Sequence, residues 1–193
     1  MQHRIFIAIN IPEEIKKKLN FFRDKWLELP CCWTKKDNLH ITLIFLGYLS
    51  DEELLEVLKI SREIALQHSV FSLNFKKIIY GPPKKIPPRI VWVEGENSKE
   101  LGKLQKNLED SLLLSPVKGL KNKNQRYSPH ITLGRIKQWE FRKIEPEERP
   151  EIDEDINFKF EVNSIEIMES QLKKGGAEYI VLDSISLTNF SKK

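Results

Sequence analysis

His40-Ile41-Thr42-Leu43 recurs, residue for residue, as His130-Ile131-Thr132-Leu133. The chain holds 4 histidines, and two of them open these copies. With average residue frequencies, the chance that some histidine pair shares its next three residues is roughly one in a thousand. The string therefore points to a site built from two related halves. In a strand, residues i and i+2 share a face, roughly 7 Å apart. His40 and Thr42 then face one way and Ile41 and Leu43 the other, and the same holds for the second copy. The apolar partners anchor each strand in its lobe. Two lobes related by a pseudo-twofold would bring both polar pairs to a shared axis.

The surroundings of the two copies also match. Residues 4–9 read as a buried strand before a helix, and residues 89–93 as another. Pro12 suits a first helical turn. Ile15, Leu19, Phe22 and Trp26 then recur at helical steps, which predicts a helix from Glu13 to about Glu28. Residues 39–46 are β-prone, and Gly47 is expected to end them. A second helix is expected over 51–68, with Leu54, Leu55, Leu58, Ile64 and Ala65 as its apolar stripe. Ser98 reads as an N-cap ahead of Leu101, Leu104, Leu108 and Leu112 on one helical face.

Phe71, Leu73, Phe75 and Ile78 match Phe158, Phe160, Val162 and Ile165 at identical internal spacing. The repeat unit is thus strand, helix, His-x-Thr strand, connection, strand. The first connection is a strong helix. The second contains Pro146 and Pro150 and can hold only a short one. Gly175-Gly176 reads as a turn, and residues 179–187 as a closing strand. These elements predict an internally duplicated α+β architecture with mainly antiparallel pairing, residues 1–193 forming one domain.

The net charge of +4 permits an anionic substrate without demanding one. Lys (24) and Glu (21) are abundant while Met and Cys number 2 each, a hyperthermophile pattern. No 18-residue apolar run predicts a membrane span, and the opening segment reads as a strand and not a signal peptide. Cys31 and Cys32 are adjacent, a poor disulfide pair without metal-site spacing. They suggest reduced thiols in a cytoplasmic protein. His68 is expected to complement a helix end, and His3 to be an exposed terminal residue.

Two histidines and two threonines in matched settings fit general acid–base catalysis. One imidazole is neutral and the other protonated, both forms being available near pH 6.5. Threonine hydroxyls can bind nonbridging phosphate oxygens as charge develops. No carboxylate or thiolate lies at ligand spacing in either motif, which counts against a metal centre. A Ser/His or Cys/His nucleophile would not need symmetry. The set suits in-line attack on a phosphodiester with no metal and no cofactor.

The match extends beyond the motifs. It takes in Arg4-Ile5-Phe6-Ile7-Ala8-Ile9, then Asn38-Leu39-His40 running to Phe45-Leu46-Gly47, and Pro88-Arg89-Ile90-Val91-Trp92. It continues through Tyr127-Ser128-Pro129-His130 to Gly134-Arg135, and Glu169-Ser170-Gln171-Leu172 before Gly175-Gly176 and Tyr179. In these residues the chain resembles the two-histidine phosphoesterases, specifically the LigT-like RNA 2',3'-cyclic phosphodiesterases, also called 2'-5' RNA ligases. The resemblance implies a bilobal fold: two mainly antiparallel sheets face a central cleft, with helices on the outside. It implies hydrolysis of RNA 2',3'-cyclic phosphate ends to 2'-phosphomonoesters. By the same resemblance His40 is the proton donor to the departing 3'-oxygen and His130 the proton acceptor that activates water. Thr42 and Thr132 would hold the phosphate.

The expected partner is RNA with a 2',3'-cyclic phosphate end, tRNA fragments among the candidates. A monomer is the favoured state. Two other readings stay open: a 2'-5' ligase acting on tRNA halves, and a non-catalytic RNA-end binder. Arg126 closes a basic loop over 118–126 and is a candidate for RNA phosphates. Tyr127 is a candidate for stacking on a terminal base, with strand packing as the alternative. Lys84 and Lys85 form a second basic patch. Arg89 and Arg135 read as partners for carboxylates.

Overall fold

A computed structural model of the chain describes residues 2–83, 85–118, 120, 127–174 and 176–189. Lys84 and most of the basic loop, Arg126 included, lie outside the described residues. The strands are β1 (His3–Asn10), β2 (Cys31–Trp33), β3 (His40–Leu49), β4 (Phe71–Gly81), β5 (Ile90–Gly95), β6 (His130–Ile136), β7 (Asp153–Val162), β8 (Ser164–Lys173) and β9 (Gly176–Ser186). The helices are α1 (Glu13–Phe22), α2 (Asp51–Ala65), α3 (Lys99–Leu113) and the one-turn α4 (Gln138–Phe141). The expected α+β class is the one observed.

The strands run β7-β4-β5-β6-β3-β1-β8-β9, with β2 also paired to β6. Every ladder between these strands is antiparallel. The two expected sheets are the two halves of this half-barrel. Between them β3 and β6 share one residue pair, Ile41↔Ile131. Beyond it β6 takes β2 as its neighbour, through Cys32↔Arg135 and Trp33↔Gly134. The halves therefore part at the two histidine strands and open a cleft there.

Helices cover the outer face. Leu101, Leu104, Leu108 and Leu112 of α3 are all at most 1% exposed. Burial of each such side chain stabilises by about 1.5–3 kcal/mol. The expected Ser98 cap is present, its hydroxyl accepting from the Leu101 amide at 3.1 Å. In α2, Ser50 and Glu53 form a reciprocal capping box, and three acidic residues follow the cap and favour the helix dipole.

Four local expectations are corrected. The first helix stops at Phe22, and Trp26 is buried from a tighter 3-10 turn over Arg23–Trp26. Leu55 is 67% exposed; Val57 and Ile60 carry the buried stripe of α2 instead. Gly47 does not end its strand. It sits at φ +79° beside a register shift opposite Ile5/Phe6, so the glycine carries a bulge and β3 runs on to Leu49. The fourth concerns the repeat. Phe71, Leu73 and Phe75 lie directly across from Val162, Phe160 and Phe158 in the β4–β7 ladder. Those two runs are facing neighbours, not equivalent positions. The strand that flanks β1 as β4 flanks β5 is β8.

The two outlying histidines also differ from expectation. His68 lies beyond the end of α2, buried, with Asn107 Nδ2 donating to its Nε2 at 3.1 Å. Burial holds its pKa down, so it is a neutral packing residue and not a dipole partner. His3 is half-buried and clasped between two carboxylates, Nδ1 to Glu169 at 2.7 Å and Nε2 to Asp51 at 2.9 Å. The Glu169 bond, then the Asp51 bond, raises its pKa. The stability this clasp supplies is full below the ordinary imidazole value and is lost as pH rises through the raised one. His3→Gln should therefore lower Tm most in weakly acid solution, with the deficit shrinking at alkaline pH. A deficit equal at pH 5 and pH 9 would mean an uncharged clasp.

Candidate active site

β3 and β6 repeat one burial pattern through the doubled motif. Ile41 and Ile131 are 0% exposed and Leu43 and Leu133 are 4% exposed, while His40, Thr42, His130 and Thr132 face the other way, half-buried. All four polar residues line one cleft of about 410 Å³. The structure thus brings together the residues that period-two geometry pairs.

Each imidazole is tied back in the same way. His40 Nδ1 donates to the Asn38 carbonyl at 2.7 Å, and His130 Nδ1 to the Ser128 carbonyl at 2.9 Å. Asn38 is fixed by closing the 3-10 turn Lys36–Asn38, and its side-chain amide donates to the Ala177 carbonyl at 2.7 Å. With Nδ1 engaged, Nε2 is the atom each ring has left for chemistry. His40 Nε2 meets Thr42 Oγ1 at 2.9 Å. Each ring also has an aromatic neighbour: Phe6 at 5.0 Å from His40, and Trp92 at 4.5 Å from His130.

Burial pushes both histidines below their ordinary pKa of 6.5. The Asn38 and Ser128 carbonyls oppose this, while positive charge adds to it: Lys16, then His130 and Arg135 at His40, and Arg135 at His130. At neutral pH the cleft therefore holds neutral imidazoles and a surplus of cationic charge. No carboxylate or thiolate is among its described lining residues, whereas Arg4 and Arg135 both are. Such a site attracts an anion, and the bound anion raises the imidazole pKa so that one ring can take up the proton that it later donates.

Arg135 was expected to meet a carboxylate; among the described residues it forms no ion pair and instead faces the cleft. Arg4, Phe6 and Phe45 also line it and escape the motif reading. The alternation of β1, with Ile5, Ile7 and Ile9 on the helix side, was the available signal for Arg4 and Phe6.

Tyr127 is not among the described lining residues. It packs against the core and its hydroxyl donates to the Thr42 carbonyl at 2.9 Å, crossing from the lead-in of one motif to the other. This matches the packing alternative. Together with Ile41↔Ile131 it fastens the seam. Tyr127→Phe should cost about 1 kcal/mol of stability and lower kcat several-fold with KM nearly constant. Unchanged kcat at a temperature where the variant is folded would sever this bond from activity.

A half-barrel with a His-x-Thr strand on each side of its seam is a two-histidine phosphoesterase fold of the LigT-like kind. The chain belongs to the 2'-5' RNA ligase superfamily, whose family model matches residues 13–174. It is 31% identical over 180 residues to an RNA 2',3'-cyclic phosphodiesterase of Methanocaldococcus jannaschii, covering 93% of this chain and 98% of that one. A Thermotoga maritima protein of the same name is 29% identical over 184 residues, covering 93% and 92%. Among solved structures, a Thermus thermophilus protein superposes with a TM-score of 0.81 at 26% identity, covering 97% and 99%. E. coli LigT complexed with 3'-AMP gives 0.79 at 25% identity, covering 98% and 100%.

Proposed function

We propose that this protein hydrolyses RNA 2',3'-cyclic phosphodiester ends to 2'-phosphomonoesters by metal-independent acid–base catalysis. The observation that carries the proposal is the pair of imidazoles in one cation-rich cleft, each with Nδ1 fixed on a backbone carbonyl, His40 Nε2 resting on the Thr42 hydroxyl within the same cleft. The names of the relatives point to the same substrate. We assign one catalytic pair to each of two duplicated lobes within a single domain.

In the proposed step water attacks phosphorus in line with the 3'-oxygen and gives its proton to His130 Nε2. The P–O3' bond breaks, and the 3'-oxygen takes a proton from His40 Nε2. The product keeps its phosphate on O2' and regains a 3'-hydroxyl. Thr42 and Thr132 hold the nonbridging oxygens, and Arg135 offsets the charge that gathers on them. The roles follow the local partners. Around His40 the Asn38 carbonyl and Thr42 Oγ1 can accept from both ring nitrogens, which suits an imidazolium donor. His130 has the Ser128 carbonyl on one nitrogen, which suits a neutral acceptor.

Product analysis on a cyclic-phosphate oligonucleotide, with a chelator present, tests the reading. A 2'-phosphate made at the uninhibited rate is expected; binding without turnover, or loss of activity to the chelator, removes it. The superfamily name favours a second reading, 2'-5' ligation of RNA ends, the reverse chemistry. Comparing joined and hydrolysed product from one substrate separates the two.

The pH dependence should be bell-shaped, its limbs belonging to the histidine pair. Both imidazoles are depressed in the free cleft, so kcat/KM should peak below about pH 6.5. The bound phosphate raises imidazole pKa, so the kcat optimum should lie at higher pH. Coincident optima would contradict this order.

Among the described residues no helix is long and apolar enough to cross a membrane. We place the protein in the cytoplasm because Cys31 and Cys32 are free thiols. Burial pushes the Cys31 thiol up to about 12, and it does not line the cleft, which disfavours a cysteine nucleophile.

A further inference from the structure

The wall that β1 and β3 give to the cleft does not stop at the threonines. Residues paired across an antiparallel ladder project to the same face. The register Asn10↔His40, Ala8↔Thr42, Phe6↔Phe45 and Arg4↔Tyr48 therefore puts Phe45, Arg4 and Tyr48 on the histidine face, in line beyond Thr42. β3 bulges twice against β1 in this stretch, so Phe45 and Tyr48 stand two and four ladder positions beyond Thr42, roughly 7 Å and roughly 13 Å at about 3.3 Å per position. Phe45 and Arg4 line the cleft, and Tyr48 lies outside it.

Three features set this strip apart. Its aromatic rings are open, Phe45 being 48% and Tyr48 62% exposed. The Arg4 guanidinium carbon lies over the Phe45 ring, 5.1 Å from its centroid, which keeps the cation beside the strip. And Arg4 forms no ion pair among the described residues. The carboxylates nearest in sequence register, Glu169 beside Ile5 and Asp51 after β3, are held by His3. Open aromatic faces alternating with an uncompensated cation are what single-stranded nucleic acid binds: bases stack and phosphates pair.

We propose that Phe45, Arg4 and Tyr48 form an extension subsite for the nucleotides upstream of the cyclic end, with an internucleotide phosphate on Arg4 and a base on Tyr48. The inference rests on the hydrolase reading above and narrows its substrate to single-stranded oligonucleotides. Phe45 and Arg4 stand at the mouth of the cleft, and Tyr48, outside it, stands where only the next nucleotide reaches. The terminal group alone thus occupies the histidine pair, and longer chains gain contacts along β3.

The test compares a nucleoside 2',3'-cyclic phosphate with a short single-stranded RNA carrying the same cyclic end. The parent should prefer the oligonucleotide in kcat/KM. Arg4→Gln and Tyr48→Ala should each cut that preference about tenfold, mainly through the oligonucleotide KM. Tyr48→Phe should retain it, since the stacking face remains. Arg4→Gln should also flatten the salt dependence of the oligonucleotide KM by about one phosphate contact. Equal losses on both substrates, or a preference untouched by either change, would overturn the subsite. A parent that turns over neither substrate would instead remove the hydrolase reading.

Discussion

Alanine in place of His130 is expected to lower kcat on a cyclic-phosphate oligonucleotide by about a hundredfold or more, with Tm close to the parent. The ring sits on the cleft face of β6 and leaves the buried Ile131 and Leu133 side untouched. His40→Ala should lose as much on the same substrate. The two should part when the leaving group no longer needs a proton. With a nitrophenyl phosphodiester the departing oxygen is stable as an anion, so His40→Ala should recover much of its rate and His130→Ala should not. Combining both changes should cost little more than the worse single one, because acid and base serve one transition state. Near-parental turnover by either single variant would end the two-histidine mechanism, and rescue of the wrong one would reverse the roles.

The second large effect is expected from a residue that touches no substrate. A methyl at Gly81 would stand 2.6 Å from Trp92 Cδ2 and 2.9 Å from its Cε2 and Cγ. Trp92 is 5% exposed and cannot retreat to solvent; its ring centroid lies 4.5 Å from that of His130. Gly81→Ala must therefore push the indole or open the β4–β5 ladder. Overpacking of this kind costs about 1–3 kcal/mol, and a displaced indole moves the surface on which His130 rests. Lower Tm and a kcat loss of about tenfold are expected together. Trp92→Phe in the same chain should return part of both, since the smaller ring makes room, and the resulting cycle measures the coupling. A Gly81→Ala protein with parental Tm would show that the ladder yields freely there.

The four central site residues are legible in the sequence because the motif is doubled and strand periodicity needs no knowledge of the fold. The rest depends on it. Arg4 and Phe6 can be read as opposite to Ile5 and Ile7, but which face is the cleft follows only from the closed sheet. Phe45 is hidden by the bulges of β3, which put Leu43 and Ile44 in succession among buried residues and break the alternation. β8 is hidden for a related reason: Glu166 and Ser170 are buried among Ile165, Ile167 and Met168, so polar and apolar positions no longer mark two faces. Gly47 is read as a stop because glycine ends strands as readily as it bends them. The matched spacing of Phe71–Phe75 and Phe158–Val162 is genuine, yet it reports two strands that pack on each other. Spacing alone cannot tell a partner from a copy.

β1 has one neighbour from residues 40–49 and the other from residues 164–173. During synthesis its second edge therefore stays bare until residues 164–173 have left the ribosome. The cleft wall that carries Arg4 and Phe6 is among the last parts to close, and contacts this distant in sequence form slowly. A chain halted before β8 would display an unpaired apolar strand, the kind of edge that recruits other chains. The interleaving that unites the two histidines thus also delays the covering of one apolar strand edge until β8 is made.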